Sequence, residues 1–264
     1  MSKLTILGSG TAFSSFYRPF DFRYPSGYLL QHNNKNYLID CSEGIRERLE
    51  KLKIDYYSIN NIFISHFHPD HFNLHTLIQS FQVRNFYTKK TSQIRIFGPP
   101  ETEKRFQVIW DATHFTESYK NFLPQQVKLE FIEYKNGEKI DVDSFSLTPF
   151  QVNHGNMPAF ALRFEIENKT LIYSGDSGLC PGIETASKRA DLFICEANEK
   201  IGSNNPGHLS VNQVGEISGR NGVKTVVLTH LTGIHSDEEL KKAVENTGFK
   251  GKIKIASDFM TVSV

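Results

Sequence analysis

The segment Ile62-Phe-Ile-Ser-His-Phe-His-Pro-Asp-His-Phe72 places His66, His68, Asp70 and His71 within six residues, directly after an apolar run. Residues two apart in an extended segment share a face, so His66 and His68 can grip one ion. Pro69 suits a helix start, and Asp70 and His71 in that first turn are directed at a neighbouring point. The pattern predicts two half-sites for cations side by side. Four ionisable groups packed this closely near a core would be costly without a cation among them.

Other ligand types stand where apolar strands run out: His154 after FQVN, Asp176 after LIYSG, Glu196 after LFIC and His230 after VVLT. A lone His or Asp at a strand end is usually a turn residue. In layered α/β folds, however, functional groups gather at the carboxyl ends of strands, and endings of this kind can converge on one cleft. His208 stands in GHLS, just before Ser210-Val-Asn-Gln213, a capping-box pattern that predicts a helix start. Helix amino termini attract phosphate.

The elements that must position these residues are short. Strands are predicted at 4–7, 27–31, 36–39 and 62–65, then at 94–97, 127–134, 145–152, 159–166 and 170–173, with Asn168-Lys169 as a hairpin turn. LFIC at 192–195, TVVL at 225–228, IKIA and MTVSV read as strands of the final third, with helices from about 211 and about 237. Ser42 is placed to cap a helix whose stripe is Ile45, Leu49 and Leu52. Helices and strands intersperse throughout, which predicts a layered α/β fold, and residues 1–264 read as a single domain without linker or repeat.

Thirty Lys and Arg against 29 Asp and Glu leave a formal charge of +1, so no global positive field would hold a nucleic acid or an anionic membrane. Cys41, Cys180 and Cys195 form no CxxC pair and point to a reducing compartment. The start MSKLTILG lacks the regions of a signal peptide, and no stretch reaches membrane-spanning length; the expectation is a cytoplasmic protein with no membrane partner.

With HFHPDH, LGSGTA, LIDCSEG, IFGPPE, His154 with Pro158-Ala159, SGDSG, GHLS and THLTG in this order, the chain resembles the metallo-β-lactamase superfamily and, within it, the ribonuclease Z-like phosphodiesterase branch. The resemblance covers nearly the whole length. It implies a four-layer αβ/βα sandwich of two mixed β-sheets flanked by helices. It also implies one metal held by His66, His68 and His154, a second by Asp70, His71 and His230, and Asp176 bridging them. Nitrogen and carboxylate ligands without thiolate suit two Zn²⁺, with Mn²⁺ or Fe as other cations such a set accepts. Asp40 matches a supporting aspartate.

Two such ions ready a water for attack, which Asp70 and Asp176 would orient. The leaving oxygen needs a proton, and His208 is the candidate acid, with Glu196 similar in position to a glutamate that orients it. The function implied is phosphodiester hydrolysis, on a nucleotide, a cyclic phosphate or an RNA end in the manner of an endonuclease. The alternatives are acyl hydrolysis of a lactone, thioester or related carbonyl compound, and a non-catalytic metal-binding scaffold. Ribonuclease Z proper often has a long arm between the positions of His154 and Asp176; here a compact GNMPAFALRFEIENKTLIYSG fills that interval, as in relatives that cleave small cyclic phosphodiesters. Related hydrolases often form dimers, which leaves a homodimer open.

Four histidines match nothing in the pattern: His32, His75, His114 and His235. His75 reads as an ordinary helix-face residue and His235 as loop. The loop from Thr11 to Ser26 carries Phe13, Phe16, Tyr17, Phe20, Phe22 and Tyr24 with Arg18 and Arg23, a composition that could stack bases and clamp phosphates or pack as an apolar flap. Phe106, Trp110, Phe115, Tyr119 and Phe122 read as helical core.

Overall fold

The structure, a computed structural model, describes residues 2–12, 22–113 and 126–264. Two seven-stranded sheets face each other. The first takes β1 (Lys3–Gly8), β2 (Gly27–His32), β3 (Lys35–Ile39), β4 (Ile59–Phe63), β5 (Ser92–Gly98), β6 (Val127–Glu133) and β14 (Thr261–Ser263), in the order β14-β1-β2-β3-β4-β5-β6. The second takes β7 (Ile140–Val142), β8 (Phe145–Val152), β9 (Ala159–Ile166), β10 (Lys169–Tyr173), β11 (Leu192–Glu196), β12 (Thr225–Thr229) and β13 (Lys252–Ile255), in the order β13-β12-β11-β10-β9-β8-β7. Each sheet begins as an antiparallel meander and continues parallel, from β3 to β6 in one and from β10 to β13 in the other.

Period-two alternation builds the layers. On β2 and β3, Tyr28, Leu30, Tyr37 and Ile39 point between the sheets, while Leu29 and Leu38 point to the outer face. On β11 and β12, Leu192, Ile194 and Val227 face inward, and Phe193, Cys195, Val226 and Leu228 face outward. Strands apolar on both sides need cover on both, so helices pack outside each sheet. Helices α1 (Ile45–Lys51), α2 (Leu74–Thr88) and α3 (Thr102–Thr113) bury Ile45, Leu49, Leu77, Phe81, Phe106 and Trp110 on the first. Helices α4 (Pro181–Ala186), α5 (Val211–Arg220) and α6 (Asp237–Asn246) bury Ile183, Val214, Ile217, Leu240 and Val244 on the second. This is the four-layer αβ/βα sandwich that the resemblance implies. Among the described residues, no helix is long and apolar enough to cross a membrane.

Three local expectations are corrected. Ser42 does not cap α1, whose N-cap is Gly44 at φ 71°; the Ser42 hydroxyl instead donates to the Pro25 carbonyl and accepts from the buried Arg48 guanidinium. Pro69 opens a turn rather than a helix, closed by the amides of His71 and Phe72 on the His68 carbonyl, and α2 starts only at Leu74. The β9–β10 register pairs Ile166 with Lys169, so the turn is Glu167-Asn168, with Glu167 at φ 54°. The capping box at α5 forms, with the Ser210 amide donating to Gln213 Oε1 at 2.9 Å.

Candidate metal centre

Beyond the end of β4 the chain turns at the mouth between the sheets, and Asp40, just after β3, fixes it there. The buried Asp40 carboxylate accepts from the Ser65 amide (2.7 Å), the Ser65 hydroxyl (2.8 Å), His71 Nδ1 (2.7 Å) and the Tyr173 hydroxyl (2.6 Å). Since the Ser65 hydroxyl is spent as a donor on Asp40, it accepts from His66 Nδ1 at 3.0 Å. His154, two residues past β8, donates its Nδ1 hydrogen to the Gly207 carbonyl at 2.8 Å. These contacts place a hydrogen on Nδ1 of His66, His71 and His154, so each turns Nε2 towards the same hollow as its ligating atom.

From the opposite sheet, Gly175 lets the loop after β10 press against Ser65. Its φ is 56°, and a Cβ there would lie 2.9 Å from the Ser65 Cβ. Asp176, one residue on, divides its two oxygens. Oδ2 lies 3.6 Å from His66 Nε2 and 3.8 Å from His154 Nε2, whereas Oδ1 lies 3.5 Å from His71 Nε2 and 3.4 Å from His230 Nε2. His230 follows β12 at φ 56°, a conformation rare outside glycine, and its Nε2 also lies 3.4 Å from Asp70 Oδ2. Three overlapping groups able to hold a metal result: His66 with His68, His154 and Asp176; Asp70 with His71 and His230; and Asp176 with His208 and His230.

The donor set fits divalent cations on its own chemistry. Nitrogens meet at 3.2 Å (His66 Nε2 to His68 Nδ1), 3.0 Å (His154 Nε2 to His68 Nδ1) and 3.3 Å (His71 Nε2 to His230 Nε2). Neighbouring ligands on a tetrahedral ion with bonds of about 2.0–2.1 Å stand about 3.3 Å apart. Asp176 Oδ1 is buried with no hydrogen-bond partner, an acceptor that a cation would satisfy.

Electrostatics agree. Burial, reinforced by the surrounding imidazoles, holds His66 well below the ordinary histidine range and lowers His68 as well. Burial also opposes ionisation of Asp70 and Asp176. It is outweighed for Asp70 by the His230 hydrogen bond and the His71 charge, and for Asp176 by the charges of His230 and His71, so both carboxyls are depressed. Against its own burial, His71 is pushed up to about 10 by Asp176 and Asp40. A cation entering this hollow would displace that proton.

His208 lies at the edge of the hollow, its ring 4.8 Å from that of His154 between centroids. The buried Glu196, last residue of β11, accepts from His208 Nδ1 at 3.0 Å. Glu196 also accepts from the amides of Ser177 (2.7 Å) and Asn198 (3.2 Å). Burial lowers the His208 pKa, but the Glu196 charge prevails and raises it to about 9. These groups open on a cleft of about 760 Å³ that Pro69, Asn198, Lys200 and Ile234 also line.

Every residue singled out for chemistry meets here: His66, His68, Asp70, His71, His154, Asp176, Glu196, His208 and His230. Tyr173, Ser65 and Asn198 belong to the site and escape sequence reasoning; Tyr173 in particular reads as the last apolar residue of a strand. The other histidines stand apart. His32 bonds Ser2 Oγ at 2.8 Å, His235 Nε2 accepts from the Ile201 amide at 3.1 Å, and His75 is half-buried on α2 outside the ligand groups. His114 lies outside the described residues. So do Phe13, Phe16, Tyr17, Arg18 and Phe20, and also Phe115, Tyr119 and Phe122. Of the 11–26 loop, Arg23 is engaged away from the metal ligands, donating to the Ala256 carbonyl and the Ser9 hydroxyl and pairing with Asp237. Phe106 and Trp110 are core, as expected.

Comparison with known proteins follows the same lines. Ribonuclease Z of Methanosarcina acetivorans is 23% identical over 325 residues, spanning 100% of this chain and 98% of that protein. The probable metallo-hydrolase YhfI of Bacillus subtilis is 26% identical over 258 residues, 96% of each. The crystal structure of YhfI, a metallo-β-lactamase fold protein, matches with a TM-score of 0.82 at 23% identity, over 99% of this chain and 98% of that one. A diphosphatase from the PhnP family matches with a TM-score of 0.73 at 20% identity, over 100% and 98%. The fold is that of the metallo-β-lactamase superfamily, in its ribonuclease Z-like branch. Residues 2–254, which carry all the candidate ligands of the cleft, match the model of one family as a whole, and the chain belongs to that family, described as Anti-Pycsar protein Apyc1.

Proposed function

We propose that this protein is a binuclear metal-dependent phosphodiesterase, in which His66, His68 and His154 hold one divalent ion, Asp70, His71 and His230 the other, and Asp176 is shared. The observation that carries this reading is the division of Asp176, one oxygen to each imidazole group, beside a His208–Glu196 pair facing the same hollow. Zn²⁺ suits the nitrogen and carboxylate donors, and Mn²⁺ and Fe are the other candidates. Bound there, such ions supply a nucleophilic oxygen at neutral pH and offset phosphoryl charge. Asp70, steadied by the Ala12 amide at 3.1 Å, orients the attacking group. His208, with Nδ1 committed to Glu196, has Nε2 to protonate the departing oxygen, and Glu196 fixes the ring in that sense.

The substrate class we favour is a small phosphodiester, such as a nucleotide or a cyclic phosphate, over transfer RNA. Between His154 and Asp176, where an RNA-gripping arm would be inserted, the chain has only β9, a two-residue turn, β10 and the short connections at 155–158 and 174–175. Both sheets contribute to one intersheet core and one site, which supports reading residues 1–264 as a single domain. The three buried, unpaired cysteines suit a reducing compartment such as the cytoplasm. The test is metal analysis combined with a panel of bis(p-nitrophenyl) phosphate, a thioester and a lactone. The expected result is about two ions per chain with the phosphodiester cleaved in preference. Preference for the lactone or thioester would replace this reading with acyl hydrolysis.

A further inference from the structure

The imidazoles of the metal centre are not all held in the same way. His66, His71 and His154 each donate Nδ1 to a fixed acceptor, but His230 Nδ1 is buried with no hydrogen-bond partner among the described residues. No hydrogen bond behind the ring aims the His230 side chain, so its direction comes from its backbone. That backbone, at φ 56°, must itself be held by its surroundings. The bonds on either side of it are main-chain: the Ala197 amide donates to the Thr229 carbonyl at 3.0 Å, and the Leu231 amide to the Ser9 carbonyl at 2.9 Å. Asp70, whose Oδ2 faces His230, accepts at that same oxygen from the Ala12 amide. Two members of the half-site Asp70, His71 and His230 thus rest on one stretch, Ser9 to Ala12, just after β1.

This stretch is clamped from the far end of the chain. Asp258 Oδ1 accepts from the Ser9 amide (2.9 Å) and the Ser9 hydroxyl (2.8 Å), and Oδ2 accepts from the Tyr24 amide (2.9 Å). The Gly10 amide donates to the Tyr24 carbonyl (2.9 Å), so one carboxylate sets two neighbouring segments that also bond each other. Arg23 closes the clamp by donating to the Ser9 hydroxyl and the Ala256 carbonyl. Asp258 is placed in turn by β1: the Phe259 amide donates to the Ile6 carbonyl (2.7 Å), and the Ile6 amide to the Met260 carbonyl (2.8 Å). Hydrogen bonds to a carboxylate are the strong kind, and Ser9 is fully buried, where water does not stand in for a lost partner.

We infer that Asp258 is a positioning residue for the half-site of Asp70, His71 and His230. It fixes Ser9; the Ser9 carbonyl fixes the Leu231 amide and with it the His230 ring; the same stretch delivers the Ala12 amide to Asp70. The half-site of His66, His68 and His154 has separate anchors, the Ser65 hydroxyl for His66 and the Gly207 carbonyl for His154. His71 keeps its bond to Asp40, so loss of the clamp weakens its half-site without dismantling it. The inference rests on the binuclear reading above and adds to it a residue that touches none of the ligands.

Zn²⁺ titration against a chromophoric chelator, read in two single-ion backgrounds, tests this. His154→Ala leaves the half-site of Asp70, His71 and His230, and His230→Ala leaves the other. Asp258→Ala added to His154→Ala should weaken Zn²⁺ binding by about 10- to 100-fold, the range for losing a group that orients a ligand. Added to His230→Ala, it should leave Zn²⁺ binding within about twofold. Asp258→Asn, which keeps one acceptor oxygen, should fall between Asp258→Ala and the unaltered residue. A residue that only supports the fold would lower both backgrounds together. Where the Asp258 variants fail to fold, Ser9→Ala, which leaves every main-chain bond in place, should show the same selectivity with a loss of about threefold. Equal weakening in the two backgrounds, or none in His154→Ala, overturns the positioning role and leaves the binuclear reading standing. Binding of a single ion by the unaltered protein overturns that reading, and the positioning role with it.

Discussion

The two sheets run through the same sequence of pairings, antiparallel and then parallel, yet they deliver their ligands in different ways. The first sheet supplies four candidate ligands from one turn after β4, and a single carboxylate, Asp40, ties that turn to β3 and β10. The second sheet supplies His154, Asp176 and His230 singly, each on its own loop, with the backbone unusual at Gly175 and His230. One half is therefore a connected unit in which a change at one place is felt across the turn. The other is a set of loops that each carry one candidate ligand, and Asp176 is the one that reaches both imidazole groups.

That contrast can be broken by substitution. Asp176→Ala should have the largest effect, lowering bound metal from about two ions per chain to below one and turnover by on the order of 10⁴-fold. Normal metal content in this variant, read by plasma emission spectrometry, would remove the shared role. His154→Ala and His230→Ala should each lose about one ion and keep the other, with turnover reduced on the order of 10³-fold. Equal loss of both ions in either variant would show that the second-sheet arms do not act separately.

His208→Ala should lower kcat by about 10²- to 10³-fold with metal content unchanged, and loss of metal there would reassign this residue as a ligand. Asp40→Ala tests the connected half. It leaves the Tyr173 hydroxyl and His71 Nδ1 without their buried acceptor, so stability should drop by about 3 kcal/mol, seen in denaturant melts, and metal affinity by about 10- to 100-fold. A neutral result would mean that the first-sheet turn holds its shape without the anchor.

The smallest effect concerns two hairpins at comparable places. β2–β3 turns through Asn33 and Asn34 at φ 49° and 59°, where asparagine is tolerated, whereas β9–β10 turns through Glu167 at φ 54°. Glu167→Asn should raise stability by about 0.5–1 kcal/mol without altering metal content. A fall in melting temperature would show that the Glu167 side chain earns its place by a contact.

The legibility of the molecule follows the same division. The 66–71 cluster is plain in the sequence because its members are neighbours and their local spacing already carries chemistry. His154, Asp176 and His230 were reachable from strand-end positions and from the family pattern, since each has 20 or more intervening residues that fold into strands and helices. Tyr173 was not reachable, because its partner Asp40 is 133 positions away and nothing near Tyr173 in sequence marks its hydroxyl as polar-facing. Asn198 reads as an ordinary loop residue until Glu196 is seen to hold its amide. Ser42 and Pro69 misled for one reason: each carries a real helix-start signal, but tertiary partners claimed the groups first, Arg48 taking the Ser42 hydroxyl and the Cys41 backbone taking the His71 carbonyl and the Asn73 amide just beyond Pro69.

Glu196 grips three things at once: the amide beside Asp176, the imidazole of His208 and the amide of Asn198. A tug on any of them is passed to the other two through one short, buried side chain. The candidate proton donor and the loop that carries Asp176 are thus set by one residue, so displacing either disturbs the other.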